Sequence, residues 1–291
     1  MNAARRAIHS IGDLDTIVEQ RLDDGTLIRL HALSDGERLS LDFSGTSPRH
    51  PMNFNAPLAI TLGATVYLMR VLAHETLPMN EGLLEPIDLH VPECFLNPSF
   101  TGDPHRDPAV CAGNTETSQR VTDTLMLAFG LAACSQGTMN NLLFGDDSFG
   151  YYETIAGGSG ATKRSDGTHA VHTHMTNTRI TDPETLESRY PVMLRRFEIR
   201  RGSGGEGLRR GGDGVIRSIQ ARKPLEFSFI GQHRKERPYG LHGGGAGVGG
   251  RQYVERADGS VHELSGSEEF SLEPGDIITI ETPGGGGWGS A

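Results

Sequence analysis

Thirty-nine of the 291 residues are glycine, where average usage of roughly 7% would give about 20. They follow no fixed period, so a collagen-like triple helix is excluded. They cluster at 157–160, 202–214, 243–250 and 284–289, between segments that read as strands. Glycine supplies positive φ and lets backbone approach backbone closely, so the pattern implies a turn-rich β architecture.

The first stretch reads as a meander of strands at 16–22, 26–32 and 38–43, divided by the turn signals Asp23-Asp24-Gly25 and Ser34-Asp35-Gly36. It opens on a strand ladder with no lead-in element, and the neighbour of that first strand is expected on another segment or another chain. Two helices stand out. At 56–75, Leu58, Leu62, Met69 and Leu72 recur at helical spacing, with Pro57 suited to the first turn. In the second, Asn114 is the expected N-cap and Glu116 complements the helix dipole. Val121, Leu125 and Leu131 form its buried stripe, and Gly137 supplies the C-terminal stop. After Asn141 strands are expected at 151–155, 169–175, 192–200, 215–222, 226–230, 252–256 and 277–281. The fold class is therefore α+β: glycine-rich mixed or antiparallel sheets, two main helices and a β-rich C-terminal half. One continuous body is expected, with a sub-boundary near residue 145 as the alternative.

A formal net charge of −10 and a pI near 5.6 disfavour nucleic acid or an anionic membrane surface as partner. The longest apolar stretch, 56–73, is interrupted by Thr61, Thr65 and Arg70, which argues against a membrane-spanning helix. Residues 1–10 carry two arginines without a following apolar run, unlike a signal peptide. Cys94, Cys111 and Cys134 are widely spaced and form no CxxC pair. That argues against a disulfide scaffold or a structural zinc site, and a cytoplasmic location is expected.

Three polar constellations can carry chemistry. In Gly113-Asn-Thr-Glu-Thr-Ser-Gln-Arg120, seven consecutive polar side chains sit across a helix start whose free N–H groups attract anions. Capping accounts for one or two of them and leaves Glu116, Gln119 and Arg120 unexplained. On a strand, His172 and His174 would face one side and share a ligand, as metal site, substrate network or structural pair. Asn177 and Arg179 suit a substrate carboxylate, arginine through its bidentate fork. Asp42-Phe-Ser-Gly-Thr-Ser-Pro48 is either a sheet-rim site or a simple turn. Gly202-Ser-Gly-Gly-Glu-Gly207 matches G-x-G-x-x-G, but no helical pattern follows it. No G-x-x-x-x-G-K-[ST] phosphate loop occurs.

Taken in order, these segments resemble the C-terminal part of the hydantoinase B/5-oxoprolinase family. The resemblance rests on Leu41-Asp-Phe-Ser-Gly-Thr-Ser47, Asn97-Pro98, Ala112-Gly-Asn-Thr-Glu-Thr-Ser-Gln-Arg120, Ser135-Gln-Gly-Thr-Met-Asn-Asn141 and Tyr152-Glu-Thr-Ile-Ala-Gly-Gly158. It continues through His174-Met-Thr-Asn-Thr-Arg179, Asp182-Pro-Glu184, the stretch 200–214 and Thr282-Pro-Gly-Gly-Gly-Gly-Trp-Gly289.

The resemblance implies ATP-dependent opening of small cyclic amides, 5-oxoproline foremost or hydantoins, with glutathione metabolism as the setting. A ketone carboxylase segment and a catalytically inert assembly fragment are the alternatives. It implies that ATP binds a hydantoinase A-type partner, which phosphorylates the substrate carbonyl, and that the B-type part hydrolyses the product with a divalent metal. The metal ligands are expected in an N-terminal B-type region that this chain lacks, so no metal ligand is assigned in residues 1–291. The chain is expected to be incomplete alone, as a split subunit or a truncated product. Carried over by the resemblance, Glu116 and Gln119 are the catalytic candidates, and Asn114, Ser118, Asn177 and Arg179 the substrate-binding ones.

Overall fold

The computed structural model describes residues 3–290, and the chain divides into two compact units, Met1–Gly130 and Leu131–Ala291.

The first unit is a four-stranded sheet covered by helices. Strands β1 (Asp13–Arg21), β2 (Leu27–Asp35), β3 (Leu39–Asp42) and β4 (Ile87–His90) follow one another in order. The first three pair antiparallel, and β4 joins β3 in parallel. Gly25, at φ 91°, closes the first hairpin, and the Asp24 carboxylate accepts from the Thr26 N–H at 2.9 Å. Ile28, Leu30 and Ala32 alternate along β2 onto a fully buried face. Helix α2 (Leu58–Ala73) begins directly after Pro57 and packs against α3 (Ser118–Ala128), which in turn lies on β1 and β2.

Two expectations are corrected here. A helix, α1 (Ala3–Ile11), does precede the ladder; it buries only Ala4, Ala7 and Ile8 before Gly12 ends it at φ 68°. At nine residues, with Ile8 the one large side chain it buries, it falls short of the apolar run that marks a helix in sequence. The second main helix stops at Ala128, with Phe129 as its cap and Gly130 at φ 55° just beyond. Gly137 also has positive φ but lies in irregular chain well past the helix.

The second unit holds two antiparallel sheets. One contains β7 (Val192–Ile199), β8 (Val215–Ala221), β10 (Arg251–Glu255), β11 (Val261–Glu263) and β13 (Ile277–Glu281), in the order β11-β10-β13-β8-β7. The other contains β5 (Asn141–Asp146), β6 (Phe149–Thr154), β9 (Leu225–Ile230) and β12 (Ser267–Leu272), in the order β12-β9-β5-β6. Leu142, Phe144, Ile219, Phe227, Phe229 and Ile278, drawn from both sheets, form one core cluster. A short helix, α4 (Pro183–Arg189), is capped by the Asp182 carboxylate, which accepts from the Glu184 and Thr185 N–H groups. The strand expected at 169–175 does not form; that stretch is irregular, with one bridge from Val171 to Gly157.

The glycine clusters form a structure of their own within this unit. Segments 133–136, 157–161, 203–214, 238–247 and 283–289 hydrogen-bond to one another backbone to backbone. Gly158 donates to Pro283, Gly212 to Ser159, Gly285 to Gly212, Gly205 to Gly285, Gly286 to Cys134 and Gly287 to Gly245, all at 2.8–3.0 Å. A Cβ on Gly158 would lie 1.9 Å from the Gly212 carbonyl oxygen, and one on Gly285 would lie 2.0 Å from that of Ser159. Most of these glycines are therefore required by close approach and not by turns. The same reason restricts the axis of a collagen triple helix to glycine.

A buried ion pair ties the sheets together. Arg217 on β8 donates from Nε and Nη2 to the two carboxylate oxygens of Glu153 on β6, at 2.6 and 3.0 Å, with the two side chains 1% and 3% exposed. Tyr151 donates to the same carboxylate at 2.8 Å, and burial, with Glu153 adding to it, pushes its phenol pKa up. Removing one partner strands a charge in the core. Arg217→Met is expected to cost about 3–5 kcal/mol in denaturant unfolding, whereas Arg217→Met with Glu153→Leu recovers most of it.

Among the described residues no helix is long and apolar enough to cross a membrane.

Candidate functional site

The polar helix start lies in the first unit and is built on a pinned loop. Asn55, fully buried, donates from Nδ2 to the carbonyls of His50, Met52 and Ala109 at 2.9–3.1 Å and accepts from the His50 N–H at 2.7 Å. Gly113 rests on that loop: a Cβ there would meet the Asn55 carbonyl oxygen at 2.3 Å. Thr117 donates its hydroxyl to the Phe54 carbonyl at 2.6 Å.

Asn114 is not the helix cap. The helical turn begins at Cys111, and Gly113–Thr117 form a single π-turn leading into α3. Asn114 is exposed inside it and caps nothing. The residue type suits a cap, but the chain is already helical when it reaches this position. Single π-turns widen a helix and are enriched at functional sites.

Beyond Asn114 the segment turns inward. Glu116, Thr117, Ser118, Gln119 and Arg120 are all essentially fully buried, an unusual run for residues of these types. The Ser118 hydroxyl donates back to the Asn114 carbonyl, Thr122 to that of Ser118 at 2.9 Å and Thr124 to that of Arg120 at 2.7 Å. These hydroxyls are satisfied within the helix, so it is Glu116, Gln119 and Arg120 that bring acid, amide and cation into the interior. One turn on, Asp123 is also buried; Tyr67 on α2 has its pKa raised by burial and by the Asp123 charge. Sequence reasoning gave no role to Arg120 or Asp123. Their spacing from Glu116, four and seven residues along a helix, is the signal that places them on its face.

Asn177 and Arg179 lie in the second unit, exposed on the irregular segment after Val171. Neighbouring hydroxyls anchor this segment to β6: Thr178 to Thr154, and Thr181 donating to the Tyr151 phenol oxygen at 2.8 Å. His172 and His174 do not share a strand face, because no strand is present and His174 adopts a left-handed φ of 54°. Burial lowers the His172 pKa and so favours the neutral ring. The pair does not fit the two-on-one-face arrangement that suggested a shared ligand. Asp42 accepts from the Ser44 N–H at 2.8 Å, which makes its motif a turn closing β3.

The 202–207 loop does not fit a nucleotide. Cβ positions at Gly204 and Gly205 fall 2.0 and 2.1 Å from the carbonyl oxygens of Gly211 and Gly245. Protein backbone fills the space that a pyrophosphate would need.

The whole chain, residues 1–291, matches the family described as hydantoinase B/oxoprolinase. It is 48% identical over 284 residues to 5-oxoprolinase 1 of Arabidopsis thaliana, a match covering 96% of this chain and 22% of that protein. The chain thus spans about a fifth of the length of such relatives. Its fold superimposes on an ATP-dependent caprolactamase from Pseudomonas jessenii with a TM-score of 0.82, at 21% identity, covering 99% of this chain and 54% of that one. It also superimposes on an acetone carboxylase, TM-score 0.79 at 19% identity, covering 99% of this chain and 47% of that one. With the glycine clusters, the buried helix start and the closing Thr282–Gly289 segment all inside a match that runs the full length, the chain belongs to the hydantoinase B/oxoprolinase family.

Proposed function

We propose that this chain is the B-type part of an ATP-dependent cyclic-amide hydrolase acting in the cytoplasm, with 5-oxoproline as its substrate. The observation that carries this reading is the 48% identity, over nearly the whole chain, to a protein named 5-oxoprolinase. The ketone-carboxylating neighbour is similar in fold alone, so the hydrolase is preferred.

A lactam is a poor electrophile, and its carbonyl needs activation before water can attack. ATP belongs to a hydantoinase A-type partner, since the glycine loops here are closed by backbone. A divalent metal is assigned to the N-terminal B-type region by the family resemblance, and the paired histidines here do not share a face that would hold one. That metal, when bound, would supply an acidified water.

This chain contributes the buried helix start. Glu116 accepts a proton as the water oxygen bonds to the phosphorylated carbonyl carbon, and returns it to the ring nitrogen as the C–N bond breaks. A second water then cleaves the resulting acyl phosphate, releasing the carboxylate and inorganic phosphate. The Gln119 amide holds the oxygen on which negative charge develops. Asn114 and Ser118 flank them on the same turn. Asn177 and Arg179, exposed on their anchored loop in the second unit, are that unit's substrate-binding candidates.

The test is turnover by the full enzyme that contains this chain. ATP and 5-oxoproline are expected to give glutamate and ADP in equal amounts, with none in the absence of ATP and no need for bicarbonate. A bicarbonate requirement, or ADP formation with no lactam opened, overturns the reading.

A further inference from the structure

Two arginines are buried to the same degree, Arg120 and Arg217, each 1% exposed and the two largest fully buried side chains among the described residues. Arg217 shows what such a group demands. Its Nε and Nη2, the two donors on one edge of the guanidinium, meet both oxygens of Glu153. In Arg120 that same pair, Nε and Nη2, is buried with no hydrogen-bond partner among the described residues. The backbone around it is fixed: the Thr124 hydroxyl holds the Arg120 carbonyl at 2.7 Å, and Gly113 and Thr117 pin the turn before it.

We propose that the Nε and Nη2 edge of Arg120 receives an oxyanion of the reactant, taking from the ligand the two oxygens that Arg217 takes from Glu153. A guanidinium edge matches a carboxylate or a phosphoryl group with two parallel N–H···O bonds. Burial keeps water from competing and screening. The identity of the anion rests on the cyclic-amide reading, which offers two sources: the substrate's own carboxylate or the phosphoryl group of its activated carbonyl. The existence of the anion site does not rest on that reading.

The experiment uses Arg120→Met and Arg120→Lys in the full enzyme, with thermal melting and ligand titration as readouts besides turnover. The probes are 5-oxoproline, 2-pyrrolidone (the same ring without a carboxylate) and inorganic phosphate. Without ligand, Arg120→Met is expected to melt close to the wild type, because the Nε and Nη2 edge it removes makes no hydrogen bond within the described residues. With ligand, affinity for the anionic probe is expected to fall by about tenfold or more, with Arg120→Lys intermediate because it keeps the charge and loses the fork.

If the carboxylate is the source, 5-oxoproline protects the wild type, 2-pyrrolidone does not, and Arg120→Met loses only the former. If the phosphoryl group is the source, phosphate protects the wild type alone and Arg120→Met slows both lactams equally. The proposal is overturned if Arg120→Met melts well below the wild type while every probe binds as before, which makes Arg120 structural. Normal ring opening by Arg120→Met removes the anion site and leaves the hydrolase reading intact. Arg120-dependent protection by phosphate in an enzyme that opens no lactam does the reverse.

Discussion

Alanine at Gly285 is expected to prevent the second unit from folding, while alanine at Gly150 passes unnoticed. The added Cβ at Gly285 would lie 2.0 Å from the Ser159 carbonyl oxygen, 2.2 Å from its carbon and 2.6 Å from the Gly160 nitrogen. All three are backbone atoms, so no side chain can rotate away, and relief requires separating segments joined by the bonds from Gly285 to Gly212 and from Gly205 to Gly285. The loss is at least ~4 kcal/mol, a large share of the ~5–15 kcal/mol that holds a typical domain together. At Gly150 nothing lies within 4 Å of the same added atom and φ is not positive, so the change stays within ~0.5 kcal/mol. Soluble yield and the denaturant midpoint of the two variants check this. A Gly285→Ala protein unfolding at the wild-type midpoint would mean that the bundle is looser than its distances state.

Glu116→Gln is expected to lower 5-oxoproline opening about 100-fold, roughly 2.7 kcal/mol in the barrier, without altering the melting temperature. The substitution keeps volume and polarity at a fully buried position and removes only the capacity to take a proton. Gln119→Met is expected to act similarly by withdrawing the amide. On the division of labour proposed above, with activation on the partner, ADP should appear ahead of ring-opened product in both variants. Wild-type rates in both, with coupled ADP and product, would remove this helix turn from the chemistry.

How much of this was legible in sequence differs by range of interaction. Helix α2 and strands β1 to β3 follow from local periodicity and from turns such as Asp23-Asp24-Gly25, and they formed close to where expected. The polar run at 114–120 stood out as a candidate because its composition exceeds what capping needs. Its start was misplaced because a good cap residue says nothing about a π-turn that begins before it. The alternation around His172 and His174 imitates a strand, yet left-handed φ values at Ala170 and His174 break the extended run. The glycine clusters were found by counting, but their role was not, because close packing joins residues such as Gly158 and Pro283 across more than a hundred positions. Arg120 was passed over in favour of the exposed Arg179 for the same reason: burial is a property of the folded chain.

The glycine bundle also sets an order on synthesis. Gly158, Gly205 and Leu241 all find backbone partners in the 283–289 segment, which leaves the ribosome after every other strand of the bundle. Until it arrives, the segments made earlier hold unmatched amides and carry few side chains with which to collapse. Closure of the second unit therefore waits for the last of the bundle's segments to be made, and until then this half of the protein stays unfinished.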